Sequence, residues 1–303
     1  MSATPTSAAG ESHRNPPGAQ TRIWLAALPV AALFALAYGR TFAALWDTWL
    51  HNDNYSHGPL VPVVSAVLVW SRRKKLARLP IEGRASGLLL VAAACALQIV
   101  GIRTDVLALQ GWSALGLLFG LSLSLLGAAW TRALAFPLAF LAFMLPFPAV
   151  FVNQLSFALK EITVRISTRA AEWLGASLLR DGMTLYLQSG ELRIENPCSG
   201  LRSLIALLAT GALFAGIQRG AWWRRASLFA LALPIAVLAN AARITLLIVI
   251  GHYLGVERAG GLVHDVSGYL LYALAVLALL GARALLEPRA HEPRPPALEA
   301  MAR

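Results

Sequence analysis

Charged residues are scarce in this sequence. Only 14% of its 303 residues are Asp, Glu, Lys or Arg, whereas 57% are hydrophobic, and the mean hydropathy is +0.62. A soluble domain carries about a quarter charged residues, because water must wet its surface. This chain lacks the side chains for a water-facing shell, so lipid must be the solvent for most of its surface. The sequence is therefore that of an integral membrane protein.

Cysteine is nearly absent as well, since the chain has only Cys95 and Cys198. Two cysteines permit one disulfide at most. Cys95 lies in the middle of an apolar run, whereas Cys198 lies beside a polar segment, and this difference argues against a bridge between them. Cys198 is thus predicted to be a free thiol at the boundary of an apolar run.

Several functional motifs are missing too. The chain has no zinc-protease helix with two histidines four residues apart, no Gly-x-Ser-x-Gly elbow and no P-loop, and His51 with His57 is only a weak candidate pair of metal ligands. The formal net charge is +11, but aromatic residues do not alternate with the basic ones as nucleic-acid stacking requires. No metal, no other cofactor and no nucleic-acid partner are predicted.

Long apolar runs divide the chain into about eight predicted membrane spans. A helix that crosses the bilayer needs about 20 mostly apolar residues, and prolines at 137, 146 and 148 interrupt the fifth run. The predicted fold class is an all-α polytopic membrane protein. The predicted spans lie near residues 22–42, 58–71, 85–102, 106–128, 131–150, 200–217, 226–250 and 267–286.

Basic residues in short loops predict the orientation. The strongest such loop, Arg72-Arg73-Lys74-Lys75, follows the second predicted span, and further Arg residues follow the fourth, sixth and eighth. An even number of crossings separates these loops, so the positive-inside rule places them all, with both termini, in the cytoplasm. The predicted organisation is a disordered cytoplasmic tail (1–21), one transmembrane catalytic domain (22–286) and a second cytoplasmic tail (287–303).

The long outer stretch 151–199 has two patterns of its own. Between 151 and 179, apolar residues recur at spacings of three and four, which predicts an amphipathic helix in the outer interface. Two short alternating runs, 184–188 and 191–195, flank Ser189-Gly190 and predict a β-hairpin just before Cys198. The apolar residues of the helix are Leu155, Leu159, Ile162, Ile166, Ala170, Trp173 and Leu174.

Cys198 is the candidate nucleophile. It follows Pro197, a residue suited to the first turn of a helix, so the sixth span begins near the thiol on the outer side. A helix N-terminus and a nearby cation both favour the thiolate. The alternative, a cysteine that merely fills space in a membrane helix, suits Cys95 but not Cys198 with its polar neighbours.

Arg243 lies within the seventh predicted span, about 12 Å from its outer end at 1.5 Å per residue. An arginine at that depth costs several kcal/mol unless it faces a wet or paired site. Asn240, three residues earlier, lies on the same helical face and is positioned to hold the guanidinium. The alternative is an arginine that extends to the interface as an anchor.

A histidine is the expected general base for a thiol at neutral pH. His264 precedes the last predicted span on the outer side, and His252 at the outer end of the seventh span is the competing candidate. Both stay open at this point. Cys198, Arg243 and His264 belong to three different spans on one side of the membrane, as a built active site requires.

These residues give the chain a resemblance to the exosortase/archaeosortase family of membrane-embedded, transpeptidase-like cysteine proteases. The matching runs are Cys-Ser-Gly-Leu-Arg-Ser at 198–203, Asn-x-x-Arg-Ile at 240–244 and His-x-x-x-Gly at 264–268, in that order. Residues 55–60, Tyr-Ser-His-Gly-Pro-Leu, also look like the family's amino-terminal region. The resemblance covers approximately 22–286, nearly the whole chain.

The resemblance implies a protein-sorting enzyme at the outer face of a prokaryotic membrane. Its substrates are exported proteins whose carboxy terminus carries a short motif such as Pro-Glu-Pro, a transmembrane helix and a basic cluster. By position, Cys198 would be the nucleophile, His264 the acid and base, and Arg243 the cation that stabilises the thiolate or the oxyanion. Three further residues of the matching runs are expected to support the site or bind substrate: Asn240, Arg202 and Ser199.

Two other functions remain as alternatives at this stage. One is a transporter in which Arg243 binds an anion, although no internal repeat relates the two halves of the chain. The other is a non-catalytic subunit of an exopolysaccharide export system. Besides the lipid bilayer, the expected partners are the exported proteins; the oligomeric state, the recognition motif and the acceptor of the cleaved protein stay open.

Overall fold

The computed structural model describes residues 19–193, 200–218 and 220–287. Cys198 and Ser199 lie outside the described residues, as do 1–18 of the predicted first tail and 288–303 of the second. The chain forms two compact units, of which the first ends at Pro148 and the second begins at Ala149. The two units are described separately.

The first unit is helical. Within its described residues, three short helical segments are not α-helical. Asp53–Tyr55 and Leu141–Met144 are 3₁₀-helical, and Ser122–Leu126 is π-helical. Its helices are α1 (Ala19–His51), α2 (Leu60–Ser71), α3 (Arg73–Leu76), α4 (Ser86–Arg103), α5 (Leu107–Leu121) and α6 (Ala128–Phe140).

The second unit combines helices with one small sheet. The sheet is antiparallel, with its strands in the order β1-β2-β3. The elements are α7 (Ala149–Trp173), β1 (Leu178–Asp181), β2 (Thr184–Leu187), β3 (Gly190–Arg193), α8 (Leu201–Ile217), α9 (Trp222–Leu254), α10 (Val256–Ala259) and α11 (Leu262–Leu286).

The helices are those of a multi-pass membrane protein, but their lengths do not confirm eight spans. Among the described residues, five helices are long and apolar enough to cross a bilayer, and the number is six if Ala128–Met144 and Ala149–Trp173 count as one span. Helix α2 has 12 residues and α8 has 17, so at 1.5 Å per residue neither reaches about 30 Å. The five long segments are Leu28–His51, Ser86–Arg103, Leu107–Leu126, Trp222–Leu254 and Val266–Leu286.

A buried chain of polar side chains holds α1, α4 and α5 together in the first unit. The Tyr38 hydroxyl lies 2.6 Å from Ser113 Oγ, which donates to Gln98 Oε1 at 3.3 Å. Gln98 Nε2 donates to Thr41 Oγ1 at 3.1 Å, and Thr41 donates to Gln110 Oε1 at 2.9 Å. Hydrogen bonds of this kind join helices where lipid offers no partner.

Side chains near the end of α1 hold the proline-rich segment that follows α6. Trp49 Nε1 donates to the Met144 carbonyl at 2.9 Å, and His57 Nε2 lies 3.0 Å from the Phe143 carbonyl. The Tyr55 hydroxyl accepts from the Phe147 N–H at 3.0 Å. Backbone groups freed where prolines interrupt a helix need such partners, because lipid supplies none.

Replacing Tyr55 by phenylalanine is expected to destabilise the first unit. Tyr55 is 3% exposed, and burial raises the pKa of its hydroxyl, so the neutral group serves as the acceptor for the Phe147 N–H. Losing the acceptor costs about 1–3 kcal/mol, which thermal unfolding in detergent measures. Tyr186→Phe, at an exposed position, is the matched control, and equal melting temperatures in the two variants would contradict the assignment.

Helix α7 is present as predicted, but the face that it packs against the protein is not the most apolar one. Ile162 is 49% exposed, Ile166 39% and Trp173 91%. Ser167, which is fully buried, donates its hydroxyl to the Ala241 carbonyl of α9 at 2.9 Å. Helices in lipid pack through small residues and leave bulky apolar side chains outside, which accounts for the exposure of Ile162, Ile166 and Trp173. The buried residues are Leu159, Thr163, Val164, Ser167, Thr168 and Ala171.

The predicted hairpin is present, with two differences. Its turn is Gln188-Ser189, one residue earlier than predicted, since Leu187 pairs with Gly190. A third strand, β1, precedes it and pairs with β2. Alternate residues of β2, Leu185 and Leu187, are buried in a hydrophobic cluster with α7 and α9 residues. The hairpin is therefore an integral part of the second unit.

Candidate active site

Helix α9 supplies two of the predicted site residues, one turn apart. Asn240 is 6% exposed and Arg243 is half-buried. Their spacing of three residues places them on one face of the helix. The helix is apolar and has 33 residues in all, and a cation within such a helix needs polar partners because lipid does not solvate it. Partners from neighbouring elements must therefore surround Arg243.

Arg243 contacts His264, which lies near the start of α11. The guanidinium Nη2 lies 3.1 Å from His264 Nε2 and 3.4 Å from Nδ1, and donates to the His264 carbonyl at 3.2 Å. A guanidinium has donors only, so it acts as the donor in these contacts. The arrangement thus joins a fixed positive charge to a histidine ring.

Small and hydroxyl residues one turn further along α11 make room for this contact. A methyl group added at Gly268 would lie 3.3 Å from Arg243 Cζ, tighter than ordinary contact. Ser267, 4% exposed, donates its hydroxyl to the His264 carbonyl at 2.9 Å. His264 and Gly268 are four residues apart and lie on one face of the helix, which is why both meet the same guanidinium.

Asn240 packs against Gly200, the residue that precedes α8. A methyl group added at Gly200 would lie 2.5 Å from Asn240 Nδ2, and Gly200 has φ +74°, a left-handed conformation that favours glycine. Ser203 donates its hydroxyl to the Gly200 carbonyl at 2.9 Å, which helps to hold this turn. Gly200 follows Cys198 by two residues in the chain.

A pocket opens between α8, α9 and α11 beside Arg243. Its cavity volume is about 30 Å³, space for one or two water molecules and well below the volume of a typical ligand site. Along α9 it extends from Arg243 to Ala236, about 10 Å at 1.5 Å per residue. One end is therefore cationic and polar, and the rest is lined by small or apolar side chains. The lining residues are Ser203, Leu207, Ala236, Ala239, Asn240, Arg243, Gly268, Leu271, Tyr272 and Ala275.

The structure brings together some of the predicted residues and not others. Arg243 binds His264; within the described residues, its guanidinium makes no hydrogen bond to Asn240. His252 follows Arg243 by nine residues on α9, about 13.5 Å along the axis and half a turn away in direction, so it does not share this contact. Arg202 is exposed in the first turn of α8.

Sequence reasoning assigned no role in the site to Ser203, Ser267 or Tyr272. Each lies at helical spacing from a residue that was singled out: Ser203 follows Ser199 by four, and Ser267 and Tyr272 follow His264 by three and eight. That spacing was the available signal. No group of three or more His, Cys, Asp or Glu that could hold a metal occurs among 19–193, 200–218 and 220–287.

One comparison with known proteins identifies a family. The family model described as transmembrane exosortase matches residues 49–281, from the end of α1 to the last turns of α11. The matched range includes Gly200, Asn240, Arg243 and His264 and every residue that lines the pocket. No curated protein and no solved structure matches the chain.

Proposed function

The chain belongs to the transmembrane exosortase family, and from that premise we propose that it is a cysteine protease or transpeptidase within the membrane. It cleaves the carboxy-terminal sorting signal of exported proteins, a motif such as Pro-Glu-Pro followed by a transmembrane helix and a basic cluster. One observation carries the proposal. The three motif segments meet in the second unit, where Gly200 packs against Asn240 and Arg243 binds His264.

The first half of the reaction forms an acyl-enzyme. His264 takes the proton of the Cys198 thiol, and the sulfur attacks the scissile carbonyl carbon. The C–N bond breaks, the departing amine receives the proton from the imidazolium, and a thioester joins the substrate to Cys198. The positive charge of Arg243 stabilises the thiolate and the oxyanion.

The second half releases the product. A water, an amine or a hydroxyl attacks the thioester carbonyl and gives its proton to His264, and the C–S bond breaks. Water makes the enzyme a protease, and an amine or hydroxyl of a surface acceptor makes it a transpeptidase or transferase.

The proposed location is the cell membrane, with both termini cytoplasmic and the site on the outer side. Support comes from the Lys and Arg residues of short loops, which the positive-inside rule assigns to the cytoplasm. The helical substrate tail approaches from the lipid, and its motif meets the site at the outer boundary. Asn240 supports the Gly200 turn, and Arg202 and Ser199 support the site or the bound substrate.

Co-expression in a bacterial host that lacks such a sorting system tests the proposed function. An exported protein with the three-part tail is expected to be shortened only when this chain is present, as immunoblotting and mass spectrometry of its carboxy terminus show. The matched substrate lacks only the tail and should remain intact. An uncleaved substrate with the enzyme inserted would contradict the proposal. A transporter would then be tested by anion flux in vesicles, comparing the wild type with Arg243→Ala.

A further inference from the structure

Strand β3 lies at an edge of the sheet. It pairs with β2 on one side, and within the described residues no strand pairs with its other side. An edge strand presents a row of backbone N–H and C=O groups to any extended chain beside it. The opposite edge differs, because Arg180 of β1 donates to Glu161 of α7 at 2.6 Å and so joins β1 to a helix.

The hairpin register defines which groups of β3 point outward. A two-residue loop closes on a hydrogen-bonded pair, and such pairs alternate with non-hydrogen-bonded ones along an antiparallel ladder. Leu187↔Gly190 closes the loop and Leu185↔Leu192 is the next hydrogen-bonded pair. Glu191 and Arg193 therefore direct their N–H and C=O groups away from β2, and their side chains are exposed.

The hairpin is held in place before any partner binds. Leu185 is fully buried and Leu187 is 8% exposed, which fixes the inner face of the sheet. At the turn, Ser189 donates its hydroxyl to the Gly251 carbonyl near the end of α9 at 2.6 Å. An edge held rigidly in this way loses little conformational entropy when a strand is added.

We propose that the outer edge of β3 binds an extended segment of the substrate as a fourth strand. This inference rests on the proposed function and names the surface by which the substrate is held. Arg193 precedes Cys198 by five residues, and five extended residues span at most about 18 Å. Cys198 therefore lies within about 18 Å of Arg193, a distance that about five further residues of a segment paired with β3 can span.

The occupant is the stretch of the exported protein next to its cleavage motif. Glu191 and Arg193 together offer two N–H and two C=O groups, so a bound strand makes up to four backbone hydrogen bonds that do not depend on its sequence. Side chains of the bound strand alternate between the two faces. Those on the outer face lie beside Glu191 and Arg193, one of each charge, which favours an alternating charge pattern in the substrate.

Disulfide trapping tests the strand. In a Cys95→Ala, Cys198→Ala background, Arg193→Cys or Glu191→Cys is co-expressed with an exported protein bearing the three-part tail and one cysteine, moved through eight successive positions beside its motif. Cross-strand Cβ atoms lie about 4.5–5.5 Å apart, close enough to oxidise with small adjustments. Trapping is expected at alternate substrate positions, at least about fivefold above their neighbours, and the preferred position shifts by two between the variants.

Leu179→Cys is the matched control, because Leu179 is exposed on the same face of the sheet but belongs to β1. An added strand beyond β3 would lie three strand spacings away, about 14 Å, so it should not be trapped. Trapping of equal strength at all substrate positions would overturn the proposed fourth strand. Trapping as strong with Leu179→Cys as with the β3 variants would overturn it too. Cleavage by the wild type is measured separately, so a failure of the strand and a failure of the proposed function give different results.

Discussion

Replacing Cys198 by alanine is expected to abolish cleavage of the tailed substrate, with a rate at least about 10³-fold below wild type. The sulfur forms the covalent bond to the substrate, and no other group in the reaction replaces it. When a nucleophile and its base act as a unit, removing the nucleophile alone costs about as much as removing the whole set. This decrease is measured as the initial rate of product formation in membranes. Immunoblotting measures the amount of inserted enzyme, to which the rate is normalised.

Cys95→Ala is the matched control for this substitution. Cys95 is the only other cysteine in the sequence, and it is an exposed residue of α4 in the first unit. Its removal is expected to leave the rate within about twofold of wild type, as for surface changes remote from the chemistry. Unchanged cleavage by Cys198→Ala, with the protein inserted normally, would exclude the cysteine mechanism altogether.

Replacing His264 by glutamine is expected to lower the cleavage rate by about 10²–10⁴-fold, the usual contribution of a general acid and base. Glutamine keeps an oxygen that can accept from Arg243, so the guanidinium retains a partner, but it cannot take or give the proton. The loss should therefore lie in kcat with little change in the melting temperature. That separation distinguishes a chemical role for His264 from a structural one.

His252→Gln is the matched control for His264. It changes the same residue type on α9, about 13.5 Å along the helix from Arg243, and is expected to leave the rate within about twofold of wild type. A large loss in His252→Gln with a small loss in His264→Gln would reverse the assignment of the base. Equal losses in both would contradict the role of the Arg243–His264 contact.

The predictions from sequence succeeded where a local pattern has one physical cause. Two alternating runs around a short turn predict a hairpin, because side chains of a strand alternate between its faces, and a hairpin is present at Thr184–Arg193. The third strand, β1, escaped prediction because Leu178-Leu179-Arg180-Asp181 places two apolar residues before two charged ones and so shows no alternation. Leu179 of this strand is exposed and lies next to Tyr186, its partner in β2.

The helices show where a pattern is ambiguous. Spacings of three and four in α7 predicted a helix, and the helix is there. The pattern did not indicate which residues pack against the protein: Ile162 and Ile166 of the apolar stripe are exposed, whereas Leu159 is buried. Hydropathy likewise located an apolar helix at 201–217, but hydropathy does not measure how much of a bilayer its 17 residues cross.

Composition alone determined that this chain belongs in a membrane. Residue order alone showed that Cys198, Arg243 and His264 follow one another along the chain in three matching runs. These conclusions depend on the solvation of apolar residues and on the position of a few chemical groups along the chain. Only the tertiary structure decided that Arg243 binds His264 instead of Asn240, that Asn240 packs against Gly200, and that β3 lies at a sheet edge. Such contacts join residues far apart in sequence, and their partners depend on how helices turn about their axes when they pack.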